Sequence, residues 1–387
     1  MHYELTSSSW GPEEKEALLK VVEGGYFTMG ELVATFEDQF AAYHGKKYGI
    51  MVNSGSSANL AATAALFYKK DNPLKRGDEV IVPAISWSTM YHPLQQYGLK
   101  LKFVDVELDS LNVDIDALEA AITPQTKMIV AVSILGNPAA LDRMRDLADK
   151  HGLYFLEDNC ESMDAELNGK KAGSFGDLCT SSFFYSHHIS TMEGGMVITD
   201  DYELMQLCRA IRAHGWNRDL PSDSDLYEKS SNDLFEAYRF IVPGYNLRSG
   251  EINAAIGLEQ LKKLPNLTAI RRKNWLHFKS KFEDDDRFII QKENGKSSAF
   301  CFPMIINPST NIDRMKIFAT LKDADIGHRI ITGGCFTRHD VIKYYDYEIV
   351  GDLPNANLAH DYGFFVGNHP RDIAKEINYL HATLAGI

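Results

Sequence analysis

Two histidines stand side by side in Ser182-Phe183-Phe184-Tyr185-Ser186-His187-His188-Ile189-Ser190-Thr191-Met192-Glu193-Gly194-Gly195. Imidazole ordinarily titrates near neutrality, so a histidine facing a ligand serves as general base and then as general acid. No lysine occurs between Lys171 and Lys229, so this stretch has no amine to bond a carbonyl covalently. Two other segments carry polar groups in useful places. Asn53-Ser54-Gly55-Ser56-Ser57 is a small-residue turn between a strand and a helix, where free N–H groups and serine hydroxyls receive an anion. Leu156-Glu157-Asp158-Asn159-Cys160-Glu161 sets acids at the carboxyl end of an apolar strand, the edge where open α/β sheets bind ligands. An aspartate there pairs with a protonated pyridine nitrogen and strengthens it as an electron sink. Taken singly, each segment also has a plainer reading as a capped turn, a solvated strand end or a structural histidine pair.

The elements around these segments alternate. Tyr48–Val52, Glu79–Pro83, Leu101–Asp105, Met128–Ser133 and Tyr154–Glu157 read as short apolar strands. Between them lie helix-like stretches, Ala58–Tyr68 and Ile115–Ile122, the second with Asp114 as N-cap. This rhythm predicts a mainly parallel sheet covered on both faces. After Arg248 the pattern changes. Glu251–Leu264 reads as a helix broken at Pro265, with a second helix over Leu267–Glu283, then a strand over Phe300–Ile306, a helix over Ile312–Ala324 and a terminal helix over Ile373–Leu384. The expected division is a large domain over 1–248, including N-terminal helices, and a small α+β domain over 249–387. The acidic run Glu283–Asp286 reads as a solvated turn.

Of the 387 residues, 44% are hydrophobic and 24% charged, as in a folded water-soluble protein, and the formal charge is −13. That charge argues against a nucleic-acid partner, whose affinity comes from clustered Lys and Arg. The longest apolar run, around Met128–Gly136, is too short to span a bilayer, and Met1–Gly11 has no basic start or apolar stretch. A cytoplasmic protein without a membrane partner is the expectation. Five scattered cysteines, with no paired or metal-binding spacing, predict reduced thiols and no iron–sulfur cluster.

The flanks of the histidine pair carry a family likeness. The chain resembles the DegT/DnrJ/EryC1/StrS sugar aminotransferase family, which reads Ser-Phe-x-x-x-Lys and then Glu-Gly-Gly, the glutamate six residues past the lysine. Ser182 lies five residues before His187 and Glu193 six after it, so both counts place histidine where the family has lysine. Thr28-Met29-Gly30, Val82–Thr89, Leu156–Ser162, Ala213-His214-Gly215-Trp216 and Pro243–Arg248 also look like the family, so the likeness covers essentially the whole chain. It is strongest to the branch with His-His-Ile-x-Thr-Met-Glu-Gly-Gly, which removes the C3 hydroxyl of GDP-4-keto-6-deoxy-D-mannose on the way to colitose, an O-antigen sugar.

The resemblance implies the aspartate-aminotransferase-like fold type I and the cofactor pyridoxal 5′-phosphate, cycling with pyridoxamine 5′-phosphate. Gly55, Ser56 and Ser182 are then expected at the cofactor phosphate, Trp87 on the pyridine face, Asp158 at the ring nitrogen and Glu161 near the ring hydroxyl. Asn246 is expected to reach in from a second subunit, which implies an obligatory homodimer with shared active sites. Ser186, His214, Arg218, Arg248 and Arg329 are candidates for a nucleotide-sugar substrate, since a guanidinium fork fits a pyrophosphate. With His187 in the place of lysine, the cofactor is held noncovalently and His187 moves protons during loss of the C3 hydroxyl, with L-glutamate as amino donor. Two other readings share the fold: a sugar aminotransferase, which needs the missing lysine, and a non-catalytic cofactor-binding relative, which need not keep Asp158, Ser182 and Glu193-Gly194-Gly195.

Overall fold

The apolar runs become the strands of one eight-stranded sheet. In the computed structural model, which describes residues 1–387, its order is Tyr48–Val52, Gly195–Thr199, Leu178–Ser182, Tyr154–Asp158, Thr126–Val132, Glu79–Pro83, Lys100–Val104, Tyr347–Ile349. Only Gly195–Thr199 runs antiparallel to its neighbours, so the expected mainly parallel sheet is present. Alternate residues enter opposite cores, as strand geometry demands. Val80 and Val82 face the helices Gly55–Phe67, Ser88–Gln96 and Tyr202–Arg212, while Ile81 faces Leu141–His151. Helix Ile115–Ala120 starts on Asp114, whose carboxylate accepts the N–H groups of Asp116 and Ala117.

Beyond residue 249 the chain builds an antiparallel sheet ordered Phe288–Ile290, Cys301–Ile306, Gly363–Gly367, His328–Arg329. Helices Arg314–Asp323 and Ala374–Leu384 pack on it around Phe278, Phe302 and Phe364. The same portion returns Tyr347–Ile349 to the large sheet, parallel to Lys100–Val104. No helix is long and apolar enough to cross a membrane.

Two boundaries differ from the sequence reading. The helix expected from Ala58 starts at Gly55, inside the small-residue turn, so its first N–H groups lie within that segment. The break expected at Pro265 does not occur, and Glu251–Phe282 is one helix. An interior proline forfeits a backbone hydrogen bond and costs about 3 kcal/mol. Here the helix is held on several sides, by Pro12–Gly24, Glu31–Tyr43 and Ala374–Leu384, with Leu264, Phe278 and Phe282 fully buried, and that burial outweighs the local cost.

The start of this long helix also secures another. Helix Glu31–Tyr43 has Gly30 as N-cap and so lacks a capping side chain of its own. The Glu251 carboxylate supplies the cap, accepting the N–H groups of Gly30 at 2.9 Å, Leu32 at 3.0 Å and Val33 at 2.9 Å. Glu251→Ala strands these donors and is expected to lower stability by about 1–3 kcal/mol. Denaturant unfolding checks this against Glu283→Ala, at the exposed end of the same helix, which is expected to stay within about 0.5 kcal/mol of wild type.

Candidate active site

The site lies at the carboxyl ends of the central strands. Ser54 caps helix Gly55–Phe67, its hydroxyl accepting the Ser57 N–H at 3.0 Å. Ser57 in turn donates to Asn53 Oδ1 at 2.6 Å, while Ser56 is exposed. Gly55 is required by proximity: a Cβ there would lie 2.5 Å from Ser182 Cβ and 3.0 Å from Cys160 Sγ. Gly195 has the same constraint, since a Cβ would strike the Ser54 carbonyl. The helix start, with its free N–H groups and positive dipole end, is thus pressed against Ser182, forming a cradle for a small anion.

Asp158 ends its strand almost buried. Its Oδ2 accepts Asn59 Nδ2 at 2.9 Å and its Oδ1 the Cys160 N–H at 3.0 Å. Asn59 is itself oriented by Thr180, whose hydroxyl donates to Asn59 Oδ1 at 2.7 Å. Neither Asn59 nor Thr180 was among the expected site residues; an asparagine inside an otherwise alanine-rich helix was the available signal. Glu157, one residue earlier, points to the opposite face of the sheet, where it accepts N–H groups from Gly173, Phe175 and Gly176 and is structural.

Glu161 accepts the Leu135 N–H at 2.9 Å, and Leu135 adopts a left-handed backbone, φ 53°, to present it. Burial raises the Glu161 carboxyl to about 7; the Leu135 hydrogen bond opposes this and the Asp158 charge adds to it. Trp87 precedes helix Ser88–Gln96 with its indole 57% exposed, an aromatic face free to stack on a ligand.

His187 rides on the loop joining two neighbouring strands, closed at its base by Phe183 N–H to Gly194 O at 2.8 Å and Thr191 N–H to Phe183 O at 3.0 Å. Asn253 donates to the carbonyls of Thr191 and Glu193 at 2.9 and 3.0 Å. The Glu193-Gly194-Gly195 segment therefore sets the loop. His187 is half-buried, with Nδ1 enclosed and without a partner. Burial lowers its pKa to about 4; the Ser182 backbone opposes this and the Arg271 charge adds to it, so the imidazole is neutral at pH 7. His188 is 1% exposed, also shifted down by burial, and turned away from solvent.

The structure brings Gly55, Ser182, Asp158 and Glu161 together around Cys160, beside His187. Ser56 adjoins the cradle, and the other expected residues are more exposed in the single chain. Ser186 is half-exposed beside His187. His214 is exposed with φ 68°, and Arg218, exposed, lies 5.1 Å from the Trp216 ring centroid. Asn246 is exposed and accepts Arg248 Nε at 3.1 Å, making no hydrogen bond to the cradle. Their segment is tied to the strand end by Asn53 N–H to Leu247 O at 2.9 Å. Arg329 is exposed on the edge of the small sheet.

An anion cradle at a helix start, an anchored carboxylate at a strand end, an open indole and a neutral imidazole, on a doubly covered α/β sheet, define a cofactor-binding enzyme of the aminotransferase fold. The chain belongs to the DegT/DnrJ/EryC1/StrS aminotransferase family, whose profile matches residues 9–384. It is 48% identical to the GDP-4-keto-6-deoxy-D-mannose 3-dehydratase of Yersinia pseudotuberculosis over 386 residues, 99% of this chain and 98% of that protein. Two crystal structures of GDP-4-keto-6-deoxymannose-3-dehydratase superpose with TM-scores of 0.97 at 46% identity, each covering 99% of this chain and 100% of the other. One is a histidine-to-asparagine mutant with bound GDP-perosamine, and the other holds a trapped PLP-glutamate geminal diamine.

Gly55→Ala should close the cradle. With a methyl group forced against Ser182, the Kd for pyridoxal 5′-phosphate, followed by its absorbance, is expected to rise about tenfold or more, equivalent to about 1.4 kcal/mol. An unchanged Kd with unchanged circular dichroism would remove Gly55 from the phosphate site.

Proposed function

We propose that this chain is a pyridoxal-phosphate-dependent nucleotide-sugar 3-dehydratase that takes GDP-4-keto-6-deoxy-D-mannose to the 4-keto-3,6-dideoxy sugar, with L-glutamate as amino donor. The observation that carries this reading is the neutral, half-buried His187 at the lysine position, with no lysine nearby in sequence. The residues fit the cofactor: the Gly55–Ser182 cradle, which a Cβ would fill, would receive its phosphate, and Asp158, anchored by Asn59 and the Cys160 N–H, would pair with its ring nitrogen. Trp87 offers a stacking face. Bound as its amine, the cofactor would supply an electron sink for the keto sugar.

Asn59 and the Cys160 N–H hold the Asp158 carboxylate in one orientation. His187, neutral at pH 7, would accept the proton lost from C4′ of the bound cofactor. Once protonated it is a strong acid, because its environment favours the neutral ring, and it delivers that proton to the departing C3 hydroxyl. Hydroxide is a poor leaving group, so one imidazole acting in both directions lowers the barrier without a second acid. L-Glutamate supplies two electrons and the amino group; the sugar loses one oxygen, and 2-oxoglutarate and ammonia account for the rest.

The division into 1–248 and 249–387 places the cradle, Trp87, Asp158 and His187 on the first part and Arg329 on the second. Asn246, exposed in one chain, is assigned to the site of a second copy in a homodimer, with Arg218, Arg248 and Arg329 directed to the substrate's diphosphate, His214 to the sugar and Ser186 to the substrate beside His187.

Incubation with GDP-4-keto-6-deoxymannose and L-glutamate should yield a nucleotide sugar lighter by one oxygen, seen by mass spectrometry, together with 2-oxoglutarate. His187→Asn should reduce that rate by about 10²–10⁴-fold, and His188→Asn far less. An aminated sugar as product, or a His187→Asn enzyme as active as wild type, would overturn the reading. For the shared site, Asn246→Ala and His187→Asn homodimers, each expected to be impaired, should regain part of the activity when mixed, because each hybrid contains one intact site; no recovery despite subunit exchange refutes the assignment.

A further inference from the structure

The acid–base histidine is gripped by a side chain from outside its own loop. The Phe300 ring lies 5.5 Å from that of His187, at 83°, and 5.4 Å from that of His188, at 41°. Phe184 meets His187 at 90° from another direction, 6.1 Å away, but is 43% exposed and belongs to the same loop. Phe300 stands on a rigid post. Its carbonyl accepts buried Arg271 at 3.0 Å, and Arg271 also donates to Asn368 O at 2.6 Å. Asn368 Nδ2 returns to Ala299 O at 2.7 Å, and Ala299 holds a left-handed backbone, φ 51°. On the other side Gly136 approaches so closely that a Cβ would lie 2.6 Å from the Phe300 N. Gly136 follows Leu135, the residue that holds Glu161, so the Glu161 anchor and the His187 grip share one contact between two loops.

We propose that Phe300 is a positioning residue for the dehydration: its ring fixes the imidazole of His187 and keeps water from it, while His188 serves as the buried backing of that ring. The inference rests on His187 being the acid–base group. An edge-on aromatic contact contributes about 0.5–1.5 kcal/mol and restricts ring rotation, and small misplacement of a proton-transfer group costs rate steeply. The groups facing His187 are His188 on its own loop, Arg271 from the long helix, and Cys160 from the strand end, with Asp158 and Glu161 flanking that cysteine. None forms a salt bridge with the imidazole, so enclosure is the main influence on its protonation.

Phe300→Leu keeps an apolar side chain but removes the ring. In ring-labelled protein without substrate, the His187 resonance, identified by its loss in His187→Asn, should titrate about one pH unit higher than in wild type, while Phe300→Tyr should match wild type. In turnover, Phe300→Leu should lower kcat about tenfold with KM changed less than twofold, and it should not further reduce the residual rate of His187→Asn. Unaltered titration and kcat in Phe300→Leu, or an equal loss in the His187→Asn background, would overturn the proposal. If His187→Asn were itself fully active, the acid–base assignment would fail instead, and the NMR titration would still report whether Phe300 encloses His187.

Discussion

The close approach of Gly55 to Ser182, with Gly195 beside it, is the constraint on which the site depends. Two glycines let a helix start sit directly on the ends of two strands, without room for a side chain between them. That packing sets the helix start against the ends of the hydrogen-bonded strands Gly195–Thr199 and Leu178–Ser182. Because Ser182 and Gly195 are also the two roots of the histidine loop, it sets where His187 stands relative to the cradle. The positions of the helix start and of His187 are therefore coupled by geometry.

Around that contact the structure spends polar groups in ordered pairs. Asp158 is held by Asn59, and Asn59 by Thr180, so a nearly buried carboxylate has partners for both oxygens. Such networks resist rotation, since any movement leaves a buried donor or acceptor unpaired. Glu161 and His187 are treated differently. Each is enclosed with few partners, and each is driven toward its neutral form, the carboxyl upward to about 7 and the imidazole downward to about 4. A neutral imidazole at pH 7 is available to accept a proton, and the same enclosure makes its protonated form the more acidic.

The portion beyond residue 249 takes part in this arrangement. It caps helix Glu31–Tyr43 through Glu251, clamps the histidine loop through Asn253 and lays Phe300 against His187. It also adds the edge strand Tyr347–Ile349 to the large sheet. Movement between the two portions would therefore be felt at His187.

Strand positions, the mainly parallel sheet and the place of the two histidines on the loop between Ser182 and Gly195 were legible in the sequence, because each depends on short-range spacing. Apolar runs of strand length mark themselves, and counting five residues from Ser182 and six back from Glu193 needs no knowledge of distant contacts. Pro265 was misread for the matching reason: propensity sees the lost hydrogen bond, whereas the helix persists through burial against elements more than one hundred residues away. Glu157 and Asp158 look alike in sequence, and only the alternation of the strand against two different faces separates the structural acid from the one at the site. Asn59, Leu135, Arg271 and Phe300 were decided by tertiary structure alone, since each acts on a partner far along the chain. The protonation of His187 belongs with them, because it follows from how completely other segments enclose the ring, a property that no local pattern of residues contains.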